Sequence, residues 1–163
     1  MENGFKIASF QKDHDRLQPG FYFSTLQKGV ATFDLRFKKP NAGDFLAQAA
    51  LHSIEHMLAT ALRAGPFAAH ILYFGPMGCR TGFYLLTEGM TCREALAAVN
   101  RAIADAMQME RVPGAEKREC GNYLEHDLAG AKAELAAYSA LLAALPDEAV
   151  AHEEERLSAE VNQ

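Results

Sequence analysis

The sequence has only three cysteines among 163 residues, no basic run longer than two residues, and no apolar run of the length that crosses a bilayer. Each scarcity removes a class of protein. An odd cysteine count at irregular spacing excludes a disulfide framework. It leaves Cys79, Cys92 and Cys120 as ligands, nucleophiles or core filler in what reads as a reducing cytoplasm. A net charge of -5 with scattered Lys and Arg argues against a nucleic-acid surface. Residues 1–14 are charged throughout and lack the apolar h-region of a secretory leader, so none is expected. What is present is ordinary globular material, 49% hydrophobic and 23% charged, at a length that fits one domain over residues 1–163.

Residues 29–38 alternate, with Phe33, Leu35 and Phe37 facing a core and Thr32, Asp34 and Arg36 facing away, which predicts a strand. The aromatic run Phe21-Tyr22-Phe23 predicts a partner strand across Gln27-Lys28-Gly29. Asn41 or Asp44 is placed to cap a helix over about 44–64, where Phe45, Leu51, Ile54, Leu58 and Leu62 recur at helical spacing. Gly65-Pro66 ends it. Two more strands are read over 69–74 and 80–87, joined by Gly75-Pro76-Met77-Gly78-Cys79. Thr91-Cys92-Arg93-Glu94 has the capping-box pattern for a helix to about Met109. A long helix over about 122–145 and a charged terminal turn near 147–158 complete an α+β domain, its mostly antiparallel sheet covered by helices.

His52-Ser53-Ile54-Glu55-His56 carries the chemistry. On a helix, residues three and four apart are neighbours, so the two imidazoles can share one metal while Glu55 stands beside it. The same arrangement occurs in helical zinc enzymes, with the Glu as proton carrier. A catalytic metal takes a third protein ligand and keeps one position open. Cys79, Cys92, Cys120, His14, His70 and His126 are candidates for it. Cys92, inside the first turn of an amphipathic helix, reads as small core filler.

Three segments together resemble the S-ribosylhomocysteine lyase (autoinducer-2 synthase) family: the HxxEH helix, Gly75-Pro76-Met77-Gly78-Cys79-Arg80-Thr81-Gly82-Phe83-Tyr84, and Glu119-Cys120-Gly121. Ser9-Phe10 with Asp13-His14, Phe33-Asp34-Leu35-Arg36-Phe37, and His126-Asp127-Leu128 before Ala131-Lys132 extend the match in family order over nearly the whole chain. The resemblance implies iron(II), replaceable by zinc or cobalt, on His52, His56 and Cys120, with Glu55 and Cys79 as the acid/base pair. It implies cleavage of S-ribosylhomocysteine to homocysteine and 4,5-dihydroxy-2,3-pentanedione by carbonyl migration and β-elimination. It also implies a homodimer with active sites at the interface, the partner supplying Ser9, His14 and Arg36, and Arg63 holding the homocysteine end.

This sequence departs from the family pattern at one point. Six residues before Cys79, where the family usually carries an acidic residue near the homocysteine moiety, stands Tyr73. A diverged lyase or isomerase acting on a related thioether sugar is therefore the alternative. An HxxEH metallopeptidase would use a Glu as third ligand, and a structural metal site would want a fourth protein ligand such as His126.

Overall fold

A computed structural model describes residues 7–163, without the side chain of Ser9. Strands β1 (Gly20–Gln27) and β2 (Val30–Arg36) form an antiparallel hairpin. Lys28 and Gly29 turn it with φ of 52° and 80°, the pair of positive values that a two-residue turn matched to strand twist requires. Strands β3 (Ile71–Pro76) and β4 (Gly82–Glu88) complete a sheet of order β1-β2-β4-β3, antiparallel throughout. The expected strands at 69–74 and 80–87 are shifted by two residues at their starts, because Ala68–His70 form a 3-10 turn and Met77–Arg80 close the connection.

Helix α1 (Gln48–Ala64) lies on one face of this sheet. Leu51, Ile54 and Leu58 pack there with Phe23, Phe33, Leu35, Phe83 and Leu85. Each such side chain, fully buried, is worth about 1.5–3 kcal/mol of transfer from water. Two boundary expectations fail at its start. The helix begins at 48 rather than 44, and its N-cap is Ala47 without a side-chain cap. Asn41 instead takes a left-handed turn at φ 58°, Asp44 pairs with Lys38, and Phe45 lies under the Arg80 guanidinium.

Helix α2 (Cys92–Met107) starts with the predicted capping box, both hydrogen bonds present. Cys92 is fully buried, and burial first, then Glu154 and Glu153, pushes its thiol up to about 12, so it is inert filler. Helix α3 (Leu128–Ala143) begins six residues later than the predicted 122. Asp127 caps it by accepting from the Gly130 N–H at 2.9 Å, and residues 121–124 form a turn before it. The predicted terminal turn is a full helix, α4 (Asp147–Val161). It covers the edge strand β1: Glu153 and Glu160 accept from the Phe23 and Leu26 N–H groups, and Arg156 donates to the Phe23 carbonyl, each at 2.8 Å. An edge strand covered this way has few free groups to pair with another chain. Among the described residues, no single helix is long and apolar enough to cross a membrane.

Candidate metal centre and proton-transfer site

His52 and His56 leave α1 away from its core face, whose buried residues include Leu51, Ile54 and Leu58. The turn before α3 brings Cys120 and His126 to them, and the four donor atoms lie within 4.8 Å of one another. Cys120 Sγ is 3.5 Å from His52 Nε2, 3.9 Å from His56 Nε2 and 3.7 Å from His126 Nε2. Bonds of about 2.1 Å to nitrogen and 2.3 Å to sulfur at a tetrahedral angle separate N and S by about 3.6 Å. The group therefore has the spacing of a metal site before any ion is considered.

Distance alone does not separate the three imidazoles, but their other ring nitrogens do. His52 Nδ1 is 2.8 Å from the Glu125 carbonyl and His56 Nδ1 is 2.9 Å from the Pro113 carbonyl. A carbonyl can only accept, so in both rings the proton sits on Nδ1 and the Nε2 lone pair is free for a metal. Gly114 makes the second contact possible: its φ is +66°, and a Cβ there would stand 3.3 Å from His56 Nδ1. His126 differs. Its Nδ1 faces the Ser53 hydroxyl at 3.1 Å, and Ser53 Oγ also accepts from the Asp127 N–H at 2.8 Å. A hydroxyl can donate, so His126 is not committed to the ligand tautomer. Burial, then the neighbouring His52 and His56, lowers its pKa.

Glu55, half-buried beside His56, makes no hydrogen bond or ion pair among the described residues.

A second group lies on the other face of the sheet. Arg36 does project away from Phe33 and Leu35, as the alternation predicts, but in the single chain it is buried rather than open to a ligand. It is 1% exposed, because Asp34 two residues earlier grips it with bonds of 3.0 and 2.6 Å and Thr81 takes its Nη1 at 2.7 Å. Lys12 adds a second cation to Asp34 at 2.8 Å, and the Lys12 carbonyl lies 2.9 Å from His14 Nδ1. Cys79, exposed on the β3–β4 turn, has its sulfur 3.0 Å from Thr81 Oγ1 and 4.0 Å from Arg36 Nη1. Arg36 and Cys79 of one chain therefore belong to one cluster. Among the described residues no hydrogen bond or ion pair joins that cluster to His52, His56 or Cys120.

The remaining candidates fall around these two groups. Arg63 is exposed at the end of α1, donating to the Ala59 and Leu72 carbonyls at 3.4 and 3.3 Å, one residue from Tyr73. Tyr73 is 51% exposed, with its ring over Gly75. His70 binds the Glu88 carbonyl and stands apart from the metal group. The side chain of Ser9 lies outside the described residues. Lys12, Asp34, Ser53 and Thr81 join the candidate set only here. A sequence signal existed for three of them: Asp34, Ser53 and Thr81 stand inside the segments that carry Arg36, the His52 and His56 pair, and Cys79.

Comparison with known proteins agrees with this geometry. The profile of the S-ribosylhomocysteinase (LuxS) family matches residues 7–145. An S-ribosylhomocysteine lyase of Borreliella afzelii is 41% identical over 150 residues, covering 88% of this chain and 96% of that protein. One of Phocaeicola vulgatus is 46% identical over 141 residues, covering 81% and 86%. One of Clostridium acetobutylicum is 44% identical over 146 residues, covering 84% and 91%. With a match over most of its length and a metal group in the matched segments, the chain belongs to the S-ribosylhomocysteinase family.

Proposed function

We propose that this protein cleaves the thioether of S-ribosylhomocysteine, releasing homocysteine and 4,5-dihydroxy-2,3-pentanedione, the precursor of autoinducer-2. The observation that carries the reading is the pair of imidazoles whose Nδ1 protons are fixed by carbonyls, with both Nε2 atoms turned to one cysteine sulfur. His52, His56 and Cys120 would hold the metal, iron(II) by the family resemblance, with zinc or cobalt able to replace it. A metal on this ligand set with an open position acts as a Lewis acid toward a sugar carbonyl.

The rest of the reaction falls to side chains. Moving a carbonyl along the ribose requires a proton taken from one carbon and returned to its neighbour, which Glu55 and Cys79 are suited to do. Once the carbonyl stands two carbons from sulfur, removal of the proton between them expels homocysteine thiolate. Electrons stay with carbon and sulfur, so no oxidant is needed. Arg63 and Tyr73 would meet the amino-acid end.

We infer that the protein is a homodimer in which each site is shared. The family resemblance supplies Ser9, His14 and Arg36 from the partner, and the contact of Arg36 with Cys79 carries Cys79 into the same half. One half-site is then the metal group with Glu55, and the other is the Asp34–Arg36–Thr81–Cys79 cluster of the partner subunit. Free cysteines suit a cytoplasmic setting. Tyr73 favours one second reading, a diverged lyase for a related thioether sugar.

The test is release of free thiol from S-ribosylhomocysteine by anaerobically purified protein loaded with iron(II) or cobalt(II). Stoichiometric thiol is expected. No release from protein carrying one metal per chain would overturn the proposal.

A further inference from the structure

Thr81 is 1% exposed between two charged or reactive groups. Its Oγ1 is 2.7 Å from Arg36 Nη1 and 3.0 Å from Cys79 Sγ. A guanidinium only donates, so Oγ1 accepts from Arg36 and the single hydroxyl proton is left for sulfur. Arg36 itself reaches the sulfur only at 4.0 Å, while its Nε and Nη2 are tied to Asp34 at 3.0 and 2.6 Å. The short path from the buried ion pair to the thiol therefore runs through the hydroxyl.

We propose that Thr81 is a positioning residue that presents its hydroxyl proton to Cys79 Sγ and couples this sulfur to the Asp34–Arg36 pair. The proposal rests on the reading of Cys79 as a proton carrier. In that role the sulfur alternates between thiolate and thiol. A proton leaving a substrate carbon goes to Sγ and returns from Sγ to the adjacent carbon. Thr81 carries none of it. A hydroxyl serves both states, donating to the thiolate and accepting from the thiol, because it has one donor and two acceptor positions. Lys12 and Arg36 against the single carboxylate of Asp34 leave net positive charge beside the sulfur that turns negative.

The side chain can be tested apart from the backbone. The Thr81 carbonyl accepts from the Phe37 and Lys38 N–H groups, both at 2.9 Å, and any replacement keeps it. Carboxamidomethylation of Cys79 by iodoacetamide, followed by the mass of the Cys79 peptide, reads the thiolate across pH in the whole metal-loaded protein. Thr81→Val should move the rise of the rate with pH upward by about one pH unit, a tenfold slower reaction below the midpoint. Thr81→Ser should restore the wild-type profile. Thr81→Ala is the second hydroxyl-free variant should the Val side chain prevent folding, with metal content and far-UV dichroism as the check.

Coincident profiles in wild type and in a folded hydroxyl-free variant would overturn the inference, and full lyase activity in that variant would leave the proposed function standing. In turnover, kcat should fall in Thr81→Val at unchanged KM and recover in Thr81→Ser. A shifted profile with unchanged kcat would instead keep the hydroxyl–thiol contact and remove Cys79 from the reaction.

Discussion

Co-expressing two inactive chains with different tags, and isolating the mixed dimer by both tags, tests how the half-sites are divided. Arg36 and Cys79 of one chain share Thr81, at 2.7 and 3.0 Å, so they must serve the same site. Glu55 travels with the metal group on α1. A dimer of one Glu55→Gln chain and one Cys79→Ala chain then has one site with both defects and one with neither. It should run at about half the wild-type rate per dimer, since a two-fold dimer holds two equivalent sites. The parent homodimers should sit lower by on the order of 10²-fold or more, the typical worth of a proton-transfer group. A mixed dimer of Arg36→Ala with Cys79→Ala should stay inactive, because each site then carries a damaged Arg36–Cys79 half. The assay is thiol release per dimer at saturating substrate. An inactive Glu55→Gln/Cys79→Ala dimer would refute shared sites, and an active Arg36→Ala/Cys79→Ala dimer would refute the common half-site.

Four further outcomes are expected. His56→Ala and Cys120→Ala should lose their metal by elemental analysis, whereas Cys79→Ala should keep one metal per chain. Glu55→Gln should also keep its metal while kcat falls by on the order of 10²-fold or more, as single-turnover thiol release will show. Asp34→Asn leaves Arg36 buried without its carboxylate, a loss of about 3–5 kcal/mol, which a thermal melt should register as a Tm lower by about 10 °C. Tyr73→Asp should lower KM with little change in kcat, because a carboxylate offers the substrate ammonium a charge-assisted bond that a phenol cannot. Loss of turnover in Tyr73→Asp would instead give first place to a different thioether sugar.

Much of the fold was legible because binary pattern and local signals agreed. Phe33 and Leu35 alternate with Asp34 and Arg36, Lys28-Gly29 sits where the hairpin turns, and Thr91 with Glu94 forms the capping box. The misplaced helix starts have a common cause. Apolar spacing extends past the point where a helix can begin, and what stops it is tertiary. Phe45 is held under Arg80 outside α1, and residues 122–127 are spent on delivering Glu125 and His126 to the metal group instead of on a helical turn. α4 reads as a charged tail because its Glu153, Arg156 and Glu160 are polar, yet those are the groups that cover the β1 edge.

The candidate site was legible in its spacing and opaque in its partners. The i, i+4 pair announces two ligands on one helix face, but nothing local says that a carbonyl stands behind each ring, and that carbonyl decides which nitrogen is free. Strand alternation puts Arg36 on the face away from Phe33 without showing that Asp34, Thr81 and Cys79 close around it. Those contacts change the functional argument more than the ligand set does. A thiol that shares the Thr81 hydroxyl with a buried arginine cannot be assigned to a different half-site from that arginine. If the partner brings Arg36 to the metal, it brings Cys79 with it, and the two proton carriers Glu55 and Cys79 then approach the substrate from different chains. Dissociating such a dimer should therefore take Cys79 away from Glu55 and stop turnover while leaving His52, His56 and Cys120 able to hold their metal.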